Sequence, residues 1–151
     1  MKSLVAIAAL GLAATGWVGS ADAYKFNPAP LKFTASGPGS ATLNGTTING
    51  TVTFKGAVAK SGKAKITAAK FCGVGGCGLI GAGNLPWAMK ATSASTATLS
   101  NVTLTSSAGD CGPAKLTVSV SGGVISYNGP LAPCSQISFS VTTKPTISIV
   151  P

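Results

Sequence analysis

From Leu31 onward the chain alternates apolar and polar side chains with a period of two. Leu31, Phe33 and Ala35 fall on one side with Lys32 and Thr34 on the other. The same rhythm returns in Val52, Phe54, Gly56 and Val58, and in Ala64, Ile66 and Ala68. It recurs in Leu116, Val118 and Val120, in Ile137, Phe139 and Val141, and in Ile147 and Ile149. A period of two is the geometry of a strand with one buried face, and the abundance of Thr, Ser, Val and Ile suits that surface. Helix signals are nearly absent, so the chain reads as all-β. Between Leu99 and Val102 the phase slips by one residue, which predicts a bulge or bend at Ser100-Asn101. Asn44-Gly45, Asn49-Gly50 and Asn128-Gly129 carry the chemistry of tight turns, because both residues tolerate positive φ. Asn44, Asn49 and Asn101 also head Asn-x-Ser/Thr triplets, for which turn chemistry is the plainer account at the two Asn-Gly pairs. Short strands at this spacing predict an antiparallel β-sandwich, Ig-like or pilin-like, in preference to a barrel.

The first residues follow a different rule. Met1-Lys2 is a short positive start, residues 4–18 are almost uncharged and apolar, and Ala21-Asp22-Ala23 has the small-x-small form of a signal-peptidase site. The predicted organisation is a signal peptide at 1–23, an extended amino-terminal arm at 24–30, and one sandwich domain at 31–151. The apolar stretch is shorter than the roughly 20 residues that span a bilayer, so no integral membrane segment is expected after cleavage. With Tyr24 rather than Cys immediately after the cut and no twin Arg, neither a lipid anchor nor a folded-export route is indicated. The expected location is secreted, extracellular or at the cell surface, with the periplasm as the alternative.

Composition then narrows the chemistry. The chain has no His, Glu or Arg, and past the predicted cut Asp110 is its only carboxylate side chain. General acid–base work and most nucleophilic triads need a proton acceptor tuned by a neighbour, and that partner is missing. No catalytic residue, cofactor or metal site is expected. Cys72, Cys77, Cys111 and Cys134, an even number in an exported chain, read as two disulfides. The pairing Cys72–Cys77 with Cys111–Cys134 is favoured among the three possible, because Gly73, Gly75 and Gly76 make a flexible short loop. The net charge of +9 comes from Lys alone. Cell-envelope polyanions are candidate partners by charge, whereas the lack of Arg or of an aromatic-interleaved basic patch argues against nucleic acid.

A second line of reasoning starts at Gly83-Asn84-Leu85-Pro86-Trp87, between a Cys-bearing loop and a Ser/Thr-rich run. With Phe33-Thr34-Ala35-Ser36-Gly37, the run from Gly50 to Gly56, Cys111-Gly112-Pro113 and the run from Thr142 to Val150, it resembles the PraB-like family of alkane oxidation protein activators. The order and spacing of these pieces carry the likeness through most of residues 24–151. The resemblance implies a small exported bacterial β-protein that helps cells exploit hydrophobic substrates, and related small exported β-proteins are associated with surface fibres and biofilm matrix. It supplies no catalytic residues. Trp87 has two readings: a buried anchor whose indole N–H finds a partner, or an exposed contact for an apolar ligand or sugar.

These readings converge on a non-enzymatic protein. The first expectation is a self-assembling fibre or matrix subunit, in which an arm carrying Tyr24, Phe26, Leu31 and Phe33 inserts into a neighbouring copy by donor-strand exchange. Pro28 and Pro30, unable to donate ladder hydrogen bonds, suit a linker or an edge. The alternative is a monomeric accessory protein that aids use of hydrophobic substrates such as alkanes, or that binds surface glycans, through an apolar cleft near Trp87.

Overall fold

The computed structural model describes residues 24–43, 45–107 and 109–151. The expected signal peptide and Asn44 lie outside the described residues. Eleven strands are described: β1 (Lys25–Asn27), β2 (Leu31–Leu43), β3 (Thr46–Val58), β4 (Ala64–Gly73), β5 (Ile80–Gly83), β6 (Trp87–Ala91), β7 (Thr96–Ser106), β8 (Cys111–Ser121), β9 (Val124–Leu131), β10 (Cys134–Lys144) and β11 (Ser148–Val150). The large sheet runs β7-β6-β4-β3-β2-β10-β9-β8, and β8 pairs back onto β7. The expected sandwich is therefore corrected to a closed eight-stranded barrel, with β5 as an additional segment on β7. Alternation alone does not separate the two, since each buries one face of every strand. The difference lies in the long-range pairing of Leu99 with Leu116 and Ala97 with Val118, which joins the sheet's two ends.

Alternation puts the apolar residues inside. Phe33, Ala35, Val52, Phe54, Val58, Leu116, Val118, Val120, Ile137 and Val141 are all buried, while Lys32, Lys55, Lys65 and Lys115 face out. A wall that is polar outside and apolar inside reverses the pattern of transmembrane barrels. Two bulges bend it. Opposite β8 the register skips between Leu99 and Val102, and Asn101 takes φ 62°, placing a bulge at the Ser100-Asn101 slip. The second is on β4, where Lys55 pairs with Ala68 but Gly56 pairs with Ile66, leaving Thr67 as the extra residue. Its hydroxyl donates to the Lys55 carbonyl at 3.2 Å. This bulge corrects the expected common face of Ala64, Ile66 and Ala68: Ala68 is exposed, and Ala69 and Phe71 turn inward instead.

The turns are also redistributed. Gly45, with φ 80°, closes the β2–β3 hairpin, but Asn49-Gly50 lies within β3, paired with Ser40 and Gly39. Asn128-Gly129 lies within β9, paired with Ser138 and Ile137. In both places the cross-strand ladder continues past the dipeptide and overrides its local turn preference. One close approach demands glycine. A Cβ at Gly37 would collide with the Ser140 carbonyl oxygen across the β2–β10 pair.

Each barrel end is closed differently. At one end β1 and β11 pair, Phe26 opposite Ile149, and the Phe26 N–H donates to the Gly62 carbonyl at 2.9 Å. Phe26 and Ile147 are fully buried there. The Thr143 hydroxyl donates to the Gly123 carbonyl at 2.8 Å and accepts from the Ile147 N–H at 3.1 Å, fixing the turn that brings β11 under the barrel. At the other end a disulfide joins Cys111 to Cys134 across a separation of 23 residues, and a second joins Cys72 to Cys77 across 5. Loop-closure entropy scales with the logarithm of loop length, giving about 3 kcal/mol for the longer loop and about 2 kcal/mol for the shorter. Replacing Cys111 and Cys134 with Ala is expected to cost the larger amount in urea denaturation, and replacing Cys72 and Cys77 the smaller. Equal losses would contradict this ordering.

Candidate functional site

Among the described residues the barrel wall thins in two places: β8 and β9 pair only at Ser119–Ser121 with Val124–Ser126, and a seam lies between β4 and β5. β5 and β6 run in line along one side of β7: Gly83 pairs with Thr103 and Met89 with Leu99. Together they form one strand broken at Asn84-Leu85-Pro86. β4 pairs with β6 only from Ala64 to Ile66, opposite Met89 to Trp87. Beyond the Thr67 bulge β4 runs alongside β5, and among the described residues no ladder joins these two strands. The seam thus arises where the bulge in one strand meets the break in the next.

The break is held by three residues. Asn84 takes φ 57°, a conformation its short polar side chain tolerates better than most. Its side-chain N–H donates to the Thr103 hydroxyl at 2.8 Å, and that hydroxyl donates to the Asn101 carbonyl at 3.2 Å. The Trp87 indole N–H donates to the Gly83 carbonyl at 2.7 Å, tying the two sides of the interruption together. Of the two readings of Trp87, its 1% exposure fits the buried anchor, with the ring lining the apolar interior. The ring is large and apolar, and its polar group is satisfied, which is the condition for burying an indole.

Behind the seam lies an apolar cavity of about 50 Å³, lined among others by Val52, Phe54, Phe71, Ile80, Trp87 and Phe139. Phe54 meets Trp87 edge-on at 6.1 Å and Phe139 edge-on at 5.4 Å, and with Phe71 four aromatic rings frame the space. Ala69 on β4 and Ala82 on β5 line it from the two sides of the seam. At the top of the seam, residues 74–79 connect β4 to β5 and carry Val74, 100% exposed, and Leu79, 43% exposed. They are the exposed large hydrophobic residues of the described chain. A lone Val among glycines in the Cys72–Cys77 loop, with no alternation to bury it, is the signal that sequence reading passed over.

The remaining expected site residues lie elsewhere. Tyr24 and Leu31 are half-buried, while Phe26 and Phe33 are buried in the chain's own core, the Phe33 ring occupying the space that a Gly56 Cβ would meet at 2.6 Å. These residues lie toward the barrel end that β1 and β11 close. The four cysteines lie toward the opposite end. No group of three or more His, Cys, Asp or Glu side chains able to hold a metal occurs among the described residues.

Comparison with known proteins supports the motif reading. No curated protein and no solved structure matches the chain. The family model described as alkane oxidation protein activator PraA/PraB-like matches residues 1–151. With the Gly83 to Trp87 segment now seen to build the strand break beside an apolar cavity, the chain belongs to the PraA/PraB-like family of alkane oxidation protein activators.

Proposed function

We propose that the protein is a non-enzymatic, exported accessory factor that engages hydrocarbon chains through the β4–β5 seam. The observation that carries this reading is an apolar, aromatic-framed interior behind a stretch of wall without ladder hydrogen bonds, with exposed Val74 and Leu79 in the connection at the end of the seam. An alkane has no polar handle, so its recognition rests on displacing water from apolar surface. The cavity is small beside the roughly 300–1,000 Å³ of ordinary ligand pockets. A chain longer than a few carbons enters by parting β4 from β5, a step that breaks no strand ladder. Family membership supports the substrate class, and the absence of tuned acid–base pairs in the sequence supports a role without bond-making.

The test is titration of the purified protein with Nile red followed by competition with dodecane. Saturable binding that dodecane displaces is the expected result. Fluorescence that rises without saturation, or that dodecane leaves unchanged, would contradict the reading. Self-assembly through residues 24–33 is the second reading. It requires β1 to leave its own β11 and Phe26 to leave its own socket, after which the same socket receives the arm of another copy. Size-exclusion chromatography and negative-stain microscopy of the purified protein decide it: filaments favour exchange, and a monomer at all concentrations removes it.

A further inference from the structure

The lysines are unevenly distributed over the fold. Lys25, Lys32, Lys55, Lys60, Lys63, Lys65, Lys90 and Lys144 all lie toward the end closed by β1 and β11, whereas Asp110 immediately precedes β8 at the other end. Four of them share one groove on the outer wall. Lys144 and Lys55 flank Thr34 on its two sides in the register of β10, β2 and β3. Lys32 and Lys65 flank Ala57 in the register of β2, β3 and β4. With strands about 4.8 Å apart and residues about 3.4 Å along each strand, each pair is separated by about 10 Å, and the two pairs are offset by about 7 Å. All four side chains are exposed, and the groove they line has a floor of Gly56 and Ala57 with the Thr34 and Thr67 residues beside it. No carboxylate side chain lines it.

We infer that this groove binds an extended, carboxylate-bearing polysaccharide, laid diagonally across β10, β2, β3 and β4 by Lys144, Lys55, Lys32 and Lys65. Uncompensated ammonium groups in a shallow trough attract a polyanion by releasing its condensed counterions, an effect that depends on the number of charges brought to the groove. A membrane surface fits less well. Interfacial binding combines cations with apolar side chains that enter the acyl boundary, and the exposed large hydrophobics Val74 and Leu79 lie at the opposite end of the barrel. A nucleic acid fits less well too, since the groove offers neither Arg nor an exposed aromatic for stacking. The groove meets the seam at Thr67, but none of its four lysines lines the apolar cavity behind the seam, so polyanion binding does not depend on the proposed hydrocarbon role.

The test uses the purified protein on immobilised polygalacturonate, with vesicles containing phosphatidylglycerol and a DNA duplex as separate probes. One variant carries Lys32→Gln, Lys55→Gln, Lys65→Gln and Lys144→Gln; a charge-matched control carries Lys60→Gln, Lys63→Gln, Lys90→Gln and Lys115→Gln. The groove variant is expected to bind polygalacturonate at least about tenfold more weakly, and to lose about three units of log–log salt slope at ~0.7–0.9 per lost contact. The control should stay within about threefold, and Lys→Arg at the four groove positions should restore binding. Equal losses in both variants would reduce the effect to net charge and overturn the inference. So would tighter groove-dependent binding to the vesicles or the duplex, or no binding of polygalacturonate by the unmodified protein.

Discussion

Replacing Trp87 with Ala should lower stability by about 3–5 kcal/mol, the range for removing a large aromatic from a packed core. At about 2–4 °C per kcal/mol for a domain of this size, the midpoint of thermal unfolding should fall by roughly 6–20 °C. Two losses combine. The ring leaves a void between Phe54 and the β7 side of the core, and the Gly83 carbonyl loses its indole donor at the strand break. Trp87→Phe separates them, because it keeps most of the volume and removes the hydrogen bond, at an expected cost of about 1–2 kcal/mol. Differential scanning calorimetry of both variants measures the pair. A Trp87→Ala variant as stable as the parent would mean that the ring does not organise the core.

The second large effect is on binding. Ala69→Leu adds three carbon atoms beside a cavity of about 50 Å³, from the β4 side of the seam. Filling the space should weaken displacement of Nile red by dodecane at least about tenfold, since about 1.4 kcal/mol of lost burial corresponds to that factor. Stability should change little, because the new methyl groups occupy existing space; overpacking would instead cost about 1–3 kcal/mol and show in urea denaturation. Unchanged dodecane affinity in a folded Ala69→Leu protein would place the hydrocarbon outside the barrel. The exposed Val74 and Leu79 would then be the remaining candidates.

What could be read from the chain follows from the range of the forces involved. The inward faces at Phe33, Phe54, Leu116, Val118, Ile137 and Val141 are legible because alternation is a local property. So is the bulge at Ser100-Asn101, where the apolar phase visibly slips. The Thr67 bulge is hidden, because Ala68 and Ala69, which follow it, read equally well as either face. Asn49-Gly50 and Asn128-Gly129 mislead, since their ladders with β2 and β10 outweigh a turn preference that acts over two residues. Barrel closure, the seam and the four-lysine groove depend on registers between strands distant in sequence. The Trp87 segment is intermediate: its residues announce something unusual, but that they interrupt a strand beside an unpaired stretch of β4 emerges only from the fold.

We propose that a hydrocarbon reaches the barrel interior through the β4–β5 seam. The direct measurement is a methyl-resolved NMR titration of the purified protein with dodecane. Chemical-shift changes concentrated on Ala69, Ala82, Ile80, Val52 and Leu99, which line the cavity, are the predicted result. Changes confined to Val74 and Leu79, or none at saturating dodecane, would contradict it.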